Sequence, residues 1–195
     1  MPNWCATRYA VTGDKQQIAA IYETMKRLQN MKEPSVPNGF GPTWLGCLVH
    51  SLGKDWHNTW CRGEWSNLRI SRDRQTIFFN TMTAWGPAND TFDALCEVFQ
   101  DVSYFYSAEE PGCCYYETND EDGVFFPERY LCVVNTPEHE YESHYSKSME
   151  SAFKWLSKIS GKKIKTKKDL DDLCKEWEAK DPDAFIQLNR FELSC

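Results

Sequence analysis

Along residues 4–12 (WCATRYAVT), small or polar side chains alternate with larger ones as far as Gly13, the two-residue period of a strand running into a turn. Asp14 stands where a helix cap belongs. Ile18, Ile21, Tyr22, Met25 and Leu28 then recur at the helical spacing, so 15–29 is predicted as a helix with one apolar face against a sheet. Pro34, Pro37, Gly39, Gly41 and Pro42 break every period. Beyond them Thr43 is placed to cap a short helix with Trp44, Leu45, Leu48, Val49 and Leu52 inward and Gly53 at its end. Residues 31–65 therefore read as an insertion. Leu68 and Ile70, a polar turn at 72–74, and the alternation of Ile77, Phe79, Thr81 and Thr83 predict a β-hairpin. Pro87 ends it, Asn89 or Asp90 can cap, and Phe92, Leu95, Cys96 and Phe99 mark a second amphipathic helix before a strand at 102–107.

The order β-α-β-β-α-β is that of the ferredoxin-like class of α+β fold, in which two helices cover one face of a four-stranded antiparallel sheet. Two further strand-like runs, 113–117 and 124–134, flank the segment TNDEDG (118–123), which reads as an exposed turn, and they are expected to extend the sheet as an extra hairpin. Residues 143–160 and 167–180 read as helices, the second with Thr166 and Asp169 in capping-box positions. The division expected is a ferredoxin-like domain over 1–136, carrying the Trp-rich insertion at 31–65, and a helical extension over 137–195.

Composition agrees with a packed chain: 41% hydrophobic and 14% aromatic residues give enough apolar surface to offset the entropy of ordering. No run approaches the ~20 apolar residues of a membrane span, and the N-terminus lacks the pattern of an export signal, so a cytoplasmic location without membrane contact is expected. The nine cysteines, odd in number and without repeated spacing, suit reduced thiols rather than a disulfide framework. The net charge of −7 is uneven. Residues 1–105 balance ten basic against ten acidic side chains; 106–142 hold ten acids and one Arg; 143–195 carry a slight basic excess, with six Lys and no acid in 158–168. A generic nucleic-acid binder needs a dominant positive field, so nucleic acid is not the favoured partner.

The opening MPNWC, the VTG that closes the first strand, the TAWGP that ends the second hairpin strand, and the run FQDVSYFY together resemble the YubB ferredoxin-like domain family of plasmids, phages and other mobile elements. The resemblance covers about residues 1–134 and is most specific at 2–5 and 84–87, with a looser match in the Trp-rich stretch 44–65. Thr7 and Gly86 depart from the family's frequent Asn and Ser. The resemblance implies the fold and a mobile-element setting. It carries over no catalytic residue.

Candidate chemistry is sparse. There is no GxSxG elbow, and the Ser-x-x-Lys spacings begun by Ser151 and Ser160 lack the companion motifs of a catalytic serine. His50, His57 and Cys61 lie close in sequence, and His139 and His144 follow, but without a CxxC pair or HExxH, so no metal is expected. No Gly-rich phosphate loop or cofactor motif is present, and no cofactor is expected. The binding candidates are aromatic: Trp56, Trp60 and Trp65 around Arg62, with His57 beside them and Trp85 at the end of the hairpin, because indole and guanidinium faces stack planar groups and anchor partners. The expectation is a non-catalytic accessory protein that binds a partner protein or small ligand through this insertion and the acidic segment 109–142, which can imitate nucleic-acid charge against a host defence. Two alternatives stand beside it: a nucleic-acid module using the open sheet face, and a hydrolase using Cys61 and His57.

Overall fold

A computed structural model describes residues 2–194. The chain is mixed α+β and divides into two compact units, one over residues 2–120 and the other over Glu121–Ser194. In the first unit the elements run β1 (Trp4–Gly13), α1 (Lys15–Gln29), α2 (Leu45–Ser51), β2 (Gly63–Ile70), β3 (Thr76–Ala84), α3 (Asn89–Val98), β4 (Val102–Glu110), a 3-10 turn (Pro111–Cys113) and β5 (Tyr115–Thr118). Its strands lie in the order β2-β3-β1-β4-β5, each pair antiparallel.

The register explains the alternation in the sequence. Cys5, Thr7, Tyr9 and Val11 of β1 oppose Thr83, Thr81, Phe79 and Ile77 of β3, and all eight are buried on one face. Onto that face α1 sets Ile18, Ile21, Met25 and Leu28, and α3 sets Phe92 and Leu95. Tyr9 centres the packing, with ring centroids of Phe92 at 4.1 Å, Phe79 at 5.4 Å and Tyr106 at 5.9 Å, distances at which aromatic pairs gain beyond plain area burial. Its hydroxyl donates to Asn89 Oδ1 at 3.0 Å.

Several local expectations change. Asp14 does cap α1, accepting from Gln16 and Gln17 N–H. At α3, however, Asn89 serves Tyr9 and Asp90 accepts from Trp60 N–H at 3.4 Å, so neither caps the helix, and the cap position is Ala88. Thr43 likewise gives its hydroxyl to Glu64 Oε2 and leaves the cap of α2 to Trp44. The stretch 31–65 is no mere insertion: Leu45, Cys47, Leu48, Val49 and Trp65 are fully buried members of the core, and Gly63 already belongs to β2. In the segment read as an exposed turn, Thr118 and Asp120 are buried; Thr118 donates to Tyr106 O at 2.6 Å, and the Asn119 side chain bonds Tyr106 N and Tyr104 O as another strand's backbone would.

The second unit contains β6 (Tyr130–Thr136), β7 (His139–Ser146), α4 (Met149–Ser160), α5 (Lys167–Glu178), β8 (Phe185–Arg190) and a two-residue strand, β9 (Glu192–Leu193). Its three-stranded antiparallel sheet has β6 in the middle, between β7 and β8. Ala152, Phe153 and Leu156 of α4 and Leu170 and Leu173 of α5 bury against Cys132, Val134 and Ile186. Hence β6 pairs with these two strands instead of continuing an extra hairpin of the first sheet, the boundary falls at 120 rather than 136, and residues 137–194 supply strands β7 and β8 as well as helices rather than helices alone. Thr166 and Asp169 form the expected capping box, and Ser148 with Ser151 forms another on α4.

Candidate recognition surface

The helix-facing positions of β1 are odd-numbered, so Trp4 projects to the opposite side of the sheet from Cys5, Thr7 and Tyr9. Met82 does the same on β3. Trp4 pairs with Ala84 and Met82 with Ala6, which makes Trp4 and Met82 diagonal neighbours on one face. Both are exposed, by 42% and 45%. Phe40 stands edge-on to Trp4, with ring centroids 6.3 Å apart.

Where β3 ends, Trp85 adopts a left-handed backbone with φ 69°, a conformation that costs a bulky L-residue about 1–2 kcal/mol. Three bonds hold it there. Trp85 N–H donates to Asn3 O at 2.8 Å, Gly86 N–H donates to Ala84 O at 2.9 Å, and the Thr83 hydroxyl donates to Gly86 O at 2.6 Å. The indole is left half exposed. Arg62 adjoins it through the backbone, since Ala84 N–H donates to Arg62 O at 3.0 Å. Its guanidinium is exposed and forms no ion pair among the described residues. Gly63 permits this close seating: a Cβ there would stand 2.2 Å from Met82 O and 2.8 Å from Thr83 Cα. Trp60, exposed by 41%, is tied to the start of α3, its carbonyl accepting from the Thr91 hydroxyl at 2.9 Å.

The sequence candidates thus separate. Trp60, Arg62 and Trp85 lie exposed around the end of β3, and Trp4 and Met82 are exposed on the sheet face opposite the helices. Trp65 is buried at 1% exposure and belongs to the core, which removes it from any surface. Trp56 is half-buried, edge-on to the buried Trp44 at 5.1 Å, and acts as a core cap. His57 stacks on Trp56 at 3.6 Å and bonds Asp55 Oδ1 through Nδ1 at 2.9 Å. Asp55 is the hub of that turn; the His57 N–H and ring, with Asn58, hold its carboxyl below the usual carboxylate range.

Burial works against Cys61 as a nucleophile. The Cys61 thiol is 5% exposed, lies 3.5 Å from Trp56 O, and is pushed up to about 11 by burial, so it stays protonated near neutral pH, whereas a nucleophilic cysteine needs a depressed value. No group of three or more metal-ligating side chains occurs among the described residues. Within the acidic segment three carboxylates are engaged in the fold: Glu110 turns inward to cap the 3-10 turn through Gly112 and Cys113 N–H, Glu117 accepts from the Tyr106 hydroxyl, and Asp120 is buried.

Sequence reasoning missed Trp4 and Met82. Strand parity would have found them, because each is a large apolar side chain out of phase with the buried positions of its own strand. Comparison with protein-family models, curated proteins and solved structures gives no significant match. Among the described residues, no helix is long and apolar enough to cross a membrane.

Proposed function

We propose that the first unit is a ferredoxin-like recognition module of the YubB kind, an accessory protein of a mobile element, which seats a partner protein or a planar small ligand on Trp4, Trp60, Arg62, Met82 and Trp85 without catalysing a reaction. The observation that carries this reading is the junction of residues 2–5 with 84–87. These are the stretches on which the family resemblance rests, and they are eighty residues apart in sequence. Trp4 pairs with Ala84, and Trp85 donates to Asn3. Strand order supports the fold assignment: β2-β3-β1-β4, with α1 and α3 against one face, is the arrangement of a split βαβ sheet. Surface chemistry supports the role, since Trp and Arg dominate the anchoring residues of interfaces, and apolar side chains gathered on a surface mark interaction sites. Strain at Trp85, met by three backbone-directed bonds, keeps its indole outward where a relaxed strand would continue.

The test is affinity capture from the native host by the tagged chain and by the triple variant W60A/R62A/W85A, each with and without nuclease. Wild type should retain a discrete protein or ligand regardless of nuclease, and the variant should lose it at least tenfold, about 1.4 kcal/mol, while melting as wild type does. Capture that survives in the variant, or that nuclease abolishes, contradicts the proposal.

A further inference from the structure

The second unit contains a surface of opposite character. Six lysines, Lys158, Lys162, Lys163, Lys165, Lys167 and Lys168, fall in the connection between α4 and α5 and its flanks, and Lys154 stands one turn before Lys158 on α4; all seven side chains are exposed. The connection does not swing free. Ile164 N–H donates to the Ser157 hydroxyl at 2.9 Å, that hydroxyl donates to Phe153 O at 2.7 Å, and the Ile164 side chain is buried in the unit's core. This clamp lays the chain back along α4, so that Lys154 and Lys165 line one shallow groove with Met149, Glu150, Phe153 and Ile164. Acids touch this surface at few points. Lys162 pairs with Glu176, which also holds Lys180, and Asp169 is engaged in capping α5 through Lys165 and Thr166 N–H. Glu150 faces the groove, and Asp171 and Asp172 lie one turn beyond Lys167 and Lys168. None of these three forms an ion pair with a lysine among the described residues, and the six lysines other than Lys162 form none.

We infer that this lysine surface binds the phosphate backbone of duplex nucleic acid. Unpaired ammonium groups held by an anchored connection match a row of phosphates, which lysines neutralise with release of counterions. A membrane surface fits less well, because insertion at the headgroup level uses exposed large apolar side chains, and the exposed ones of this unit, Val124, Tyr141, Tyr145 and Leu193, lie outside 147–180. Single strands need exposed aromatic platforms. The nearest aromatics, Phe153 and Trp155, are buried and half-buried, with Trp155 stacked on His144 at 5.1 Å. The inference concerns a different surface from the tryptophan rim and stands independently of it.

The experiment measures binding of the full chain to a short mixed-sequence DNA duplex, to its single strand, and to phosphatidylserine-containing vesicles between ~50 and ~200 mM salt. Duplex binding is expected to be preferred and to weaken with salt at a log–log slope between about −2 and −5, the value for two to six neutralised phosphates. The variant K163Q/K165Q/K167Q should lose about tenfold or more at the lowest salt and show a shallower slope. The charge-matched control K15Q/K26Q/K32Q, on the first unit, should change binding less than about twofold. K163R/K165R/K167R, which keeps the charge, should restore binding if the Gln variant melts early. No duplex binding, equal loss in the two Gln variants, or preference for vesicles or the single strand would overturn the inference.

Discussion

Trp65 lies on β2 and Trp85 just past the end of the neighbouring β3, yet the first exposes 1% of its surface and the second 50%. Backbone geometry separates them. Trp65 sits in regular strand, in register with Thr81, on the face that α1 and α2 cover. Trp85 sits where the strand is stopped by a left-handed turn that aims its side chain away from that core. The same residue type therefore stabilises the fold at one position and remains available to a partner at the other. The distinction follows from strand phase and φ, not from hydrophobicity.

The largest effect should come from truncating the buried member. Trp65→Ala is expected to cost about 3–5 kcal/mol, as other large-to-small core changes do, and Trp85→Ala no more than about 1 kcal/mol; denaturant melts of the two variants decide this. Equal losses would erase the distinction. Gly63→Ala, between the two sites, is expected to cost about 1–3 kcal/mol because the new methyl meets Met82 O and Thr83 Cα. It should also speed amide exchange at Ala84, whose N–H bonds Arg62 O. Unchanged protection at Ala84 would show that β2 does not hold the rim.

A pH series sharpens the comparison from the core side. Burial pushes the Cys5 and Cys61 thiols up to about 11 and Cys132 to about 12, from an ordinary 9.0. The unfolded chain releases these protons near pH 9 while the folded chain retains them, so stability is full below pH 9 and falls as pH rises toward 11 to 12. Each thiol contributes a slope of at most about 1.4 kcal/mol per pH unit. Cys61→Ala should flatten the alkaline limb, and an unchanged limb would argue against a buried thiol. The exposed Cys113 and Cys114 should accept a thiol reagent in the native state, whereas Cys5, Cys47, Cys61 and Cys132 should react only on unfolding.

Much of the first unit was legible from residue pattern alone. The period of β1, the apolar stripe and cap of α1, and the parity of Ile77, Phe79, Thr81 and Thr83 are local signals that tertiary packing reinforces. The second unit was less legible. β7 carries EYES in its middle, exposed at each of those positions, so no alternation betrays it; it is a strand because β6 supplies partners. Asn89, Asp90 and Thr43 are sound caps by type, but Tyr9, Trp60 and Glu64 compete for them across the fold. At the rim, Trp60, Arg62 and Trp85 were visible as aromatic and cationic residues near breaks in pattern. Burial of Trp65 depends on the register of β2 with β3, which the bulge between Ser66 and Arg69 conceals from a periodic reading.

The smallest stability effect belongs to Trp85→Gly. Glycine relieves the positive φ while removing an indole that packs little, so the change should be neutral or stabilising by up to about 1 kcal/mol. A loss larger than that would make Trp85 a packing residue and weaken its assignment to the rim.

The most direct test of the rim as a recognition surface is site-specific photo-crosslinking in native host cells, with a benzophenone amino acid placed in turn at positions 60, 85 and 141. Tyr141, exposed by 67% and remote in sequence from the rim, controls for exposure alone. One discrete adduct is expected from positions 60 and 85, the same at both, resistant to nuclease and absent from position 141. No adduct at either rim position, or the same products from all three, would contradict the rim as a recognition surface.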